Sequence, residues 1–186
     1  PQDDITVGVA RATYTVTLRD SHNNLTAAAR NQTVYLFASG TSGTFYDALT
    51  GGGTIDRVTI PSGATSATVY FTATTAAAYT VTVSDSPTAD GATGLVDAND
   101  SIAVAAGAAA RLSLTQPQNI TVGRTRATYT VNRADSQGNP ASPSTAQTVY
   151  LFASGTSGTF HSALTGGGSI TQVTIPSGAA SATFYF

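Results

Sequence analysis

QTVYLFASGTSGTF stands at residues 32–45 and recurs, letter for letter, at 147–160. Within the first copy, Val34-Tyr35-Leu36-Phe37 is apolar on both faces, as a strand in the middle of a sheet must be. Gly40-Thr41-Ser42-Gly43 follows, a run that a strand does not easily continue. The motif therefore predicts a buried strand closed by a glycine-rich turn, made twice in one chain.

The repetition extends on both sides of this motif. Residues 5–71 align with 120–186 at a constant offset of 115, without a gap, and 46 of the 67 pairs are identical. LTGGG recurs at 49–53 and 164–168, and VTIPSGA at 58–64 and 173–179. A period near 115 is too long for a solenoid repeat and close to the size of an independently folding domain. Each copy is expected to bury its own core, so the array reads as beads on a string.

Residues 72–119 have no second copy, whereas ARLSLTQPQ (110–118) precedes the second copy and almost nothing precedes the first. The expected domains are 1–107, a repeat lacking its opening strand, and 108–186, a repeat lacking its closing strands. The chain reads as a window on a longer array. A bolder expectation is that neighbouring subunits fill the gaps by strand donation.

Alternation of apolar and polar residues fixes the strands. Tyr14, Val16 and Leu18 face one way, and Thr13, Thr15 and Thr17 the other. Ala67, Val69 and Phe71 alternate with Thr68 and Tyr70; Tyr79, Val81 and Val83 alternate with Thr80, Thr82 and Ser84; Leu112 and Leu114 alternate with Arg111 and Ser113. Strands are predicted at 111–115, 125–133, 147–153, 55–60, 66–72, 79–84 and 101–106, taken from both copies. The Ala-rich stretches 76–78 and 105–110 are assigned to strand or linker. Seven short strands with frequent turns predict an all-β chain of tandem immunoglobulin-like Greek-key β-sandwiches.

Composition narrows the function. Charged residues are 10% of the chain, with a net charge of -2, and every base is Arg and every acid Asp. That balance gives no electrostatic case for nucleic acid or an anionic membrane. The apolar content of 41% argues against disorder. The absence of Cys excludes disulfides, thiolate metal sites and Cys nucleophiles. No apolar run approaches the length of a membrane span.

The stretch AAARLSLTQPQNITVGRTRATYTVNRADSQGNPAS (108–142) resembles the opening of bacterial immunoglobulin-like repeats of the invasin/intimin and filamin-like type. In those repeats a first strand leads through a Gln-Pro step into a second, followed by an Asp-x-x-Gly-Asn-Pro turn, here Asp135-Ser136-Gln137-Gly138-Asn139-Pro140. The closing pattern Ala76-Ala77-Ala78-Tyr79-Thr80-Val81-Thr82-Val83 is similar to theirs. Tyr79 looks like the tyrosine corner of such folds, with Val81 where an antibody domain places Cys; a plain core aromatic is the equal alternative. The first copy departs from the turn, with Ser21-His22-Asn23-Asn24-Leu25. The resemblance implies stalks, surface layers or fibres outside the cell, with binding often carried by a separate domain.

Catalysis finds little to work with. His22 matches Gln137 in the other copy and His161 matches Tyr46, so neither carries a function shared by the repeats. Isopeptide cross-links need Lys, which is absent. The Gly-rich segments lack the Lys and the following helix of a phosphate loop. No enzymatic activity is expected. Calcium is the ligand the acids best suit, since a hard cation takes several oxygens. Asp85, Asp90, Asp97, Asn99 and Asp100 are the candidate ligands, and Asp97-Ala98-Asn99-Asp100 resembles the calcium linker of cadherin-type repeats. Asp3 and Asp4 could add carboxylates. The competing explanation is that these are solvated turn residues. Asn24, Asn31, Asn99 and Asn119 sit in glycosylation sequons.

The expected role is a structural repeat of an extracellular or cell-surface protein, a stalk, surface layer or fibre subunit. Its expected partners are neighbouring copies of the same repeat or subunit, with no nucleic acid and no membrane insertion. The alternative is an adhesive module recognising a glycan or surface protein through its loops, with Tyr46 and Phe45 as exposed aromatics, although Phe45 recurs as Phe160 and reads equally well as core.

Overall fold

The computed structural model describes residues 4–91, 93–115, 119–121, 126–155 and 157–186. Asp3, the Gln116-Pro117 step and Gln118 lie outside the described residues. The chain divides into two compact units, Pro1–Ala105 and Ala106–Phe186. Every regular element among the described residues is a β-strand, so the chain is all-β as expected.

Unit 1 contains β1 (Ile5–Thr6), β2 (Ala12–Thr17), β3 (Gln32–Ala38), β4 (Gly43–Tyr46), β5 (Thr54–Ile55), β6 (Arg57–Ile60), β7 (Ser66–Ala73), β8 (Ala77–Ser84) and β9 (Ala98–Ala105). One sheet has the order β1-β9-β8-β3-β6 and the other β2-β7-β4-β5. All pairings are antiparallel except β1 on β9. The alternation seen in the sequence sorts the side chains. Val16, Val69 and Phe71 are buried, while Thr13, Thr15, Thr17 and Thr68 are exposed.

One core is shared by both sheets of unit 1. Val16, Phe45, Val69 and Phe71 from one sheet pack with Val34, Leu36, Tyr79, Val81 and Ile102 from the other. Phe71 is fully buried. Its ring centroid lies 5.2 Å from Phe45 and 5.6 Å from Tyr79, so it bridges the sheets. Burial of one such ring contributes about 1.5–3 kcal/mol. Strand β4 begins at Gly43, inside the predicted turn. A Cβ there would sit 2.9 Å from Phe71 Cε2 and 2.8 Å from the Ala38 methyl, so only glycine lets this backbone lie against the ring.

Unit 2 contains β10 (Arg111–Thr115), β11 (Thr128–Ala134), β12 (Gln147–Tyr150), β13 (Phe160–His161), β14 (Ser169–Ile170), β15 (Gln172–Ile175) and β16 (Ser181–Tyr185). Its sheets are ordered β10-β11-β16-β13-β14 and β12-β15. Its core is smaller, with Val131, Ile175 and Phe184 buried. Tyr129 stacks on Phe184 at 5.4 Å, and Phe160 meets Phe184 edge-on at 5.6 Å.

An arginine near the start of each copy ties down the LTGGG loop. Arg11 Nη1 donates to the carbonyls of Ala48 at 2.5 Å and Gly51 at 2.6 Å, and its guanidinium lies 3.5 Å from the Tyr46 ring centroid. Arg126 repeats this on Ala163, at 2.7 Å, and on Gly166. Two consecutive glycines at positive φ, Gly51 and Gly52 and then Gly166 and Gly167, turn those carbonyls toward the guanidinium.

Candidate functional site

Two carboxylates of the Asp-rich segment of unit 1 are spent on its own backbone. Asp85 Oδ2 accepts from the Leu95 N–H at 3.1 Å, and Asp97 Oδ2 from the Gly91 N–H at 2.9 Å. The Oδ1 atoms of both are buried without a hydrogen-bond partner. Asp90 is exposed in the loop. Asn99 and Asp100 belong to β9, opposite Thr82 and Val81. Asp4 Oδ1 accepts from the Ala103 N–H at 3.1 Å. Among the described residues no three acidic or imidazole side chains form a group that could hold a metal ion.

The Asp-x-x-x-Asn turn is the shared polar feature of the two copies. Asp20 Oδ1 accepts from the N–H groups of His22 and Asn24, both at 2.9 Å, and Oδ2 from Asn24 Nδ2 at 3.1 Å. Asp135 Oδ1 accepts from Gln137 and Asn139, both at 2.9 Å, and Oδ2 from Asn139 Nδ2 at 2.9 Å. Asn23 takes a φ of 66° where the second copy has Gly138 at 95°. Asn tolerates this region better than other side chains, so the departure in sequence leaves the turn intact.

One difference separates the two turns. In unit 2 the Gly107 N–H adds a hydrogen bond to Asp135 Oδ2 at 2.9 Å, and Asp135 is 1% exposed. In unit 1 Asp20 is exposed. Desolvation pushes the Asp135 carboxyl up, but the Asn139 amide and the Gly107, Asn139 and Gln137 N–H groups outweigh it and hold it at about 2. The Asn24 N–H and side chain hold Asp20 below its ordinary value.

Tyr79 is both a core aromatic and a hydrogen-bonded corner. It is 4% exposed, and its hydroxyl donates to the Thr75 carbonyl at 3.0 Å. A carbonyl can only accept, so Ser42 Oγ, 2.5 Å away, is the donor to Tyr79 Oη. Phe45 is 5% exposed and belongs to the core, which decides between the exposed and the core reading that its recurrence as Phe160 leaves open. Burial wins because β4 turns that side chain onto Phe71.

The two units differ most at their open edges. Among the described residues β12 pairs with β15 alone, and an apolar groove of about 550 Å³ opens beside it, lined by Leu112, Leu114, Val149, Leu151, Phe160 and Phe186 among others. Phe152 there is 89% exposed and Tyr150 64%. In unit 1 the corresponding strand β3 is paired along Tyr35–Ala38 by β8. Conversely, among the described residues β2 pairs with β7 alone, and a groove of about 520 Å³ runs beside it, lined by Val16, Leu18, Asp20, Ser21, Val34, Ile60 and Val83 among others. In unit 2 the corresponding strand β11 is paired by β10. Alternation within single strands could not disclose these edges; comparing what each copy possesses could.

An all-β chain in two units, in which the strand pairs common to both keep the same register at the offset of 115, is the class this geometry defines. No family model and no curated protein matches it. Among solved structures it is similar to domains 5–6 of the S-layer protein SbsC, with 15% identity, 95% of this chain and 80% of that chain covered, and a TM-score of 0.32.

Proposed function

We propose that this chain is a stretch of a structural array of immunoglobulin-like Greek-key sandwiches, built for a stalk, surface layer or fibre outside the cell, in which each repeat is closed by strands of the β8–β9 type. One observation carries this reading: the face that β8 covers in unit 1 stands open in unit 2, over the same sequence, as an apolar groove about 550 Å³ in volume. A contiguous apolar patch of that kind is the mark of an interaction surface. The Tyr79 corner and the sharing of one core between two sheets support the immunoglobulin-like assignment. The scarcity of charge and the Thr-rich outer faces suit close packing of uncharged surfaces.

The test extends the chain by a second Thr72–Ala105 segment placed after Phe186. The expected result is loss of binding of a hydrophobic dye and a rise in the melting temperature of unit 2. Undiminished dye binding with an unchanged melting temperature would overturn the reading. Antibody labelling of the parent protein on intact cells tests the extracellular assignment.

A further inference from the structure

We propose that the outer edge of β15 in unit 2 pairs with the same edge of a second copy of this chain, antiparallel and across a two-fold axis. The edge is free for a reason internal to the repeat. In unit 1, where β8 and β9 are present and the sheet order is β1-β9-β8-β3-β6, the matching strand β6 is still the last member. Strands of the β8–β9 type would join unit 2 on the far side of β12 and leave β15 as it is. The proposal therefore goes beyond the array reading and stands whether or not that reading holds.

The ladder fixes which backbone groups face outward. Leu151 lies opposite Thr171 and donates to its carbonyl at 2.9 Å. Hydrogen-bonded and non-hydrogen-bonded pairs alternate along an antiparallel ladder, so Val173 and Ile175 turn their N–H and C=O groups to β12, and Gln172 and Thr174 turn theirs away. Both residues are exposed, and among the described residues no hydrogen bond reaches these outward groups. Pro176 follows with no N–H, and its carbonyl already accepts from Arg133 and Ala179. One register then satisfies every outward group: Gln172 of one copy opposite Thr174 of the other. A slip one way sets Gln172 against Pro176; a slip the other way sets Thr174 against Ile170, which belongs to β14 in the other sheet. In the favoured register Val173 sits on the axis, and the two half-buried Val173 side chains meet on the inner face and bury apolar surface.

The two copies treat this edge differently. Unit 1 carries Asp56 and Arg57 at the start of β6, an ion pair at 3.8 Å whose side chains are 81% and 60% exposed. In the register above, the two Arg57 residues of a pair would be diagonal neighbours on the exposed face, about 7–8 Å apart, and would repel. Charged side chains of this kind protect natural sheet edges. Unit 2 has Thr171 and Gln172 in their place. Its edge carries no charge, and the exposed face beside it is Thr148, Tyr150, Gln172 and Thr174. An edge that is uncharged and self-complementary in its backbone pattern fits a second copy of itself.

Sedimentation equilibrium of the full chain is expected to show monomers in exchange with dimers. Thr174→Pro deletes an outward N–H and no bond to β12, so it is expected to leave the melting temperature of unit 2 unchanged. It is expected to weaken the dimer at least about tenfold, the loss of one hydrogen bond from each copy. Thr171→Asp with Gln172→Arg rebuilds the edge of unit 1 and is expected to weaken the dimer likewise. This second variant keeps every backbone group in place, so it decides the matter if the proline lowers the melting temperature. The chain has no cysteine, which permits a test of register. Chain carrying Gln172→Cys, mixed with chain carrying Thr174→Cys, is expected to form the mixed disulfide in preference to either symmetric one. A chain that stays monomeric at about 1 mM, a dimer unchanged by the Thr171→Asp and Gln172→Arg variant, or a preference for the symmetric disulfides would each overturn the proposal.

Discussion

The Arg133 guanidinium donates a hydrogen bond to the Ala179 carbonyl at 2.5 Å, deep in unit 2, where Arg133 is 2% exposed. In unit 1 the matching carbonyl, Ala64, is satisfied by the Ala28 N–H at 2.8 Å. The second copy has Pro143 at that position, which has no N–H to give. It also has Arg133 where the first copy has Leu18. The arginine replaces the donor that proline removed. It holds two further carbonyls, Thr145 at 3.1 Å and Pro176 at 3.2 Å.

Arg133→Leu is therefore expected to destabilise unit 2 by about 1–3 kcal/mol, the cost of buried acceptors left unpaired. Arg133→Leu combined with Pro143→Ala restores the arrangement of unit 1 and is expected to recover much of the loss. Urea melts of both variants give the coupling between the two positions.

The Asp135 turn is expected to weaken in acid. Its carboxyl sits at about 2 when folded against an ordinary 3.8, so as pH falls the unfolded chain takes up the proton first. The stabilisation is complete above the ordinary value and is lost as pH falls through the folded one. Thermal melts between about pH 5 and about pH 2 check the direction. Asp135→Ala is expected to flatten the acid limb for unit 2 and to lower its melting temperature more than Asp20→Ala lowers that of unit 1, because Asp20 is exposed and lacks the Gly107 bond.

Gly43→Ala is expected to cost about 1–3 kcal/mol, the range for overpacking a filled core. The added methyl would meet Phe71 Cε2 at 2.9 Å and the Ala38 methyl at 2.8 Å, and neither belongs to a flexible side chain. Chemical denaturation of unit 1 measures it; a neutral result would mean that the β4 backbone can move away from the ring.

Tyr79→Phe keeps the ring against Phe71 and removes the hydroxyl that joins Ser42 to the Thr75 carbonyl. The expected loss is about 1 kcal/mol, within the range for one hydrogen bond. Hydrogen exchange at the Thr75 amide, which donates to Ser42 Oγ at 3.2 Å, is expected to quicken.

Asp85→Asn and Asp97→Asn are expected to destabilise the loop between β8 and β9 equally in chelator and in calcium, since each carboxylate holds a backbone N–H within that loop. Melting temperatures measured in both solutions check this, and protection that depends on calcium would restore the cation as the organising element.

Much of the strand pattern was legible in the sequence. The predicted 66–72 lies within β7, because Val69 and Phe71 alternate with Thr68 and Tyr70 and admit one inward face, and 111–115 coincides with β10, whose residues are all exposed. The predicted 79–84 fell short of β8 because Ala77 and Ala78 carry no pattern of their own. The polar site was half legible. The Asp135 turn stood out by its residues, but its bond to Gly107 joins positions 28 apart and left no local mark. The roles of Arg11, Arg126 and Arg133 were missed because each acts on carbonyls, which every residue has.

QTVYLFA shows where sequence stops. By itself it determined that an apolar segment would lie in a sheet, and it does so in both units. It did not determine how far the strand runs: Gln32–Ala38 in unit 1 and only Gln147–Tyr150 in unit 2, from identical letters. Tertiary structure decided that, because a strand persists only where a neighbour accepts its backbone hydrogen bonds, and in unit 1 β8 supplies that neighbour along Tyr35–Ala38.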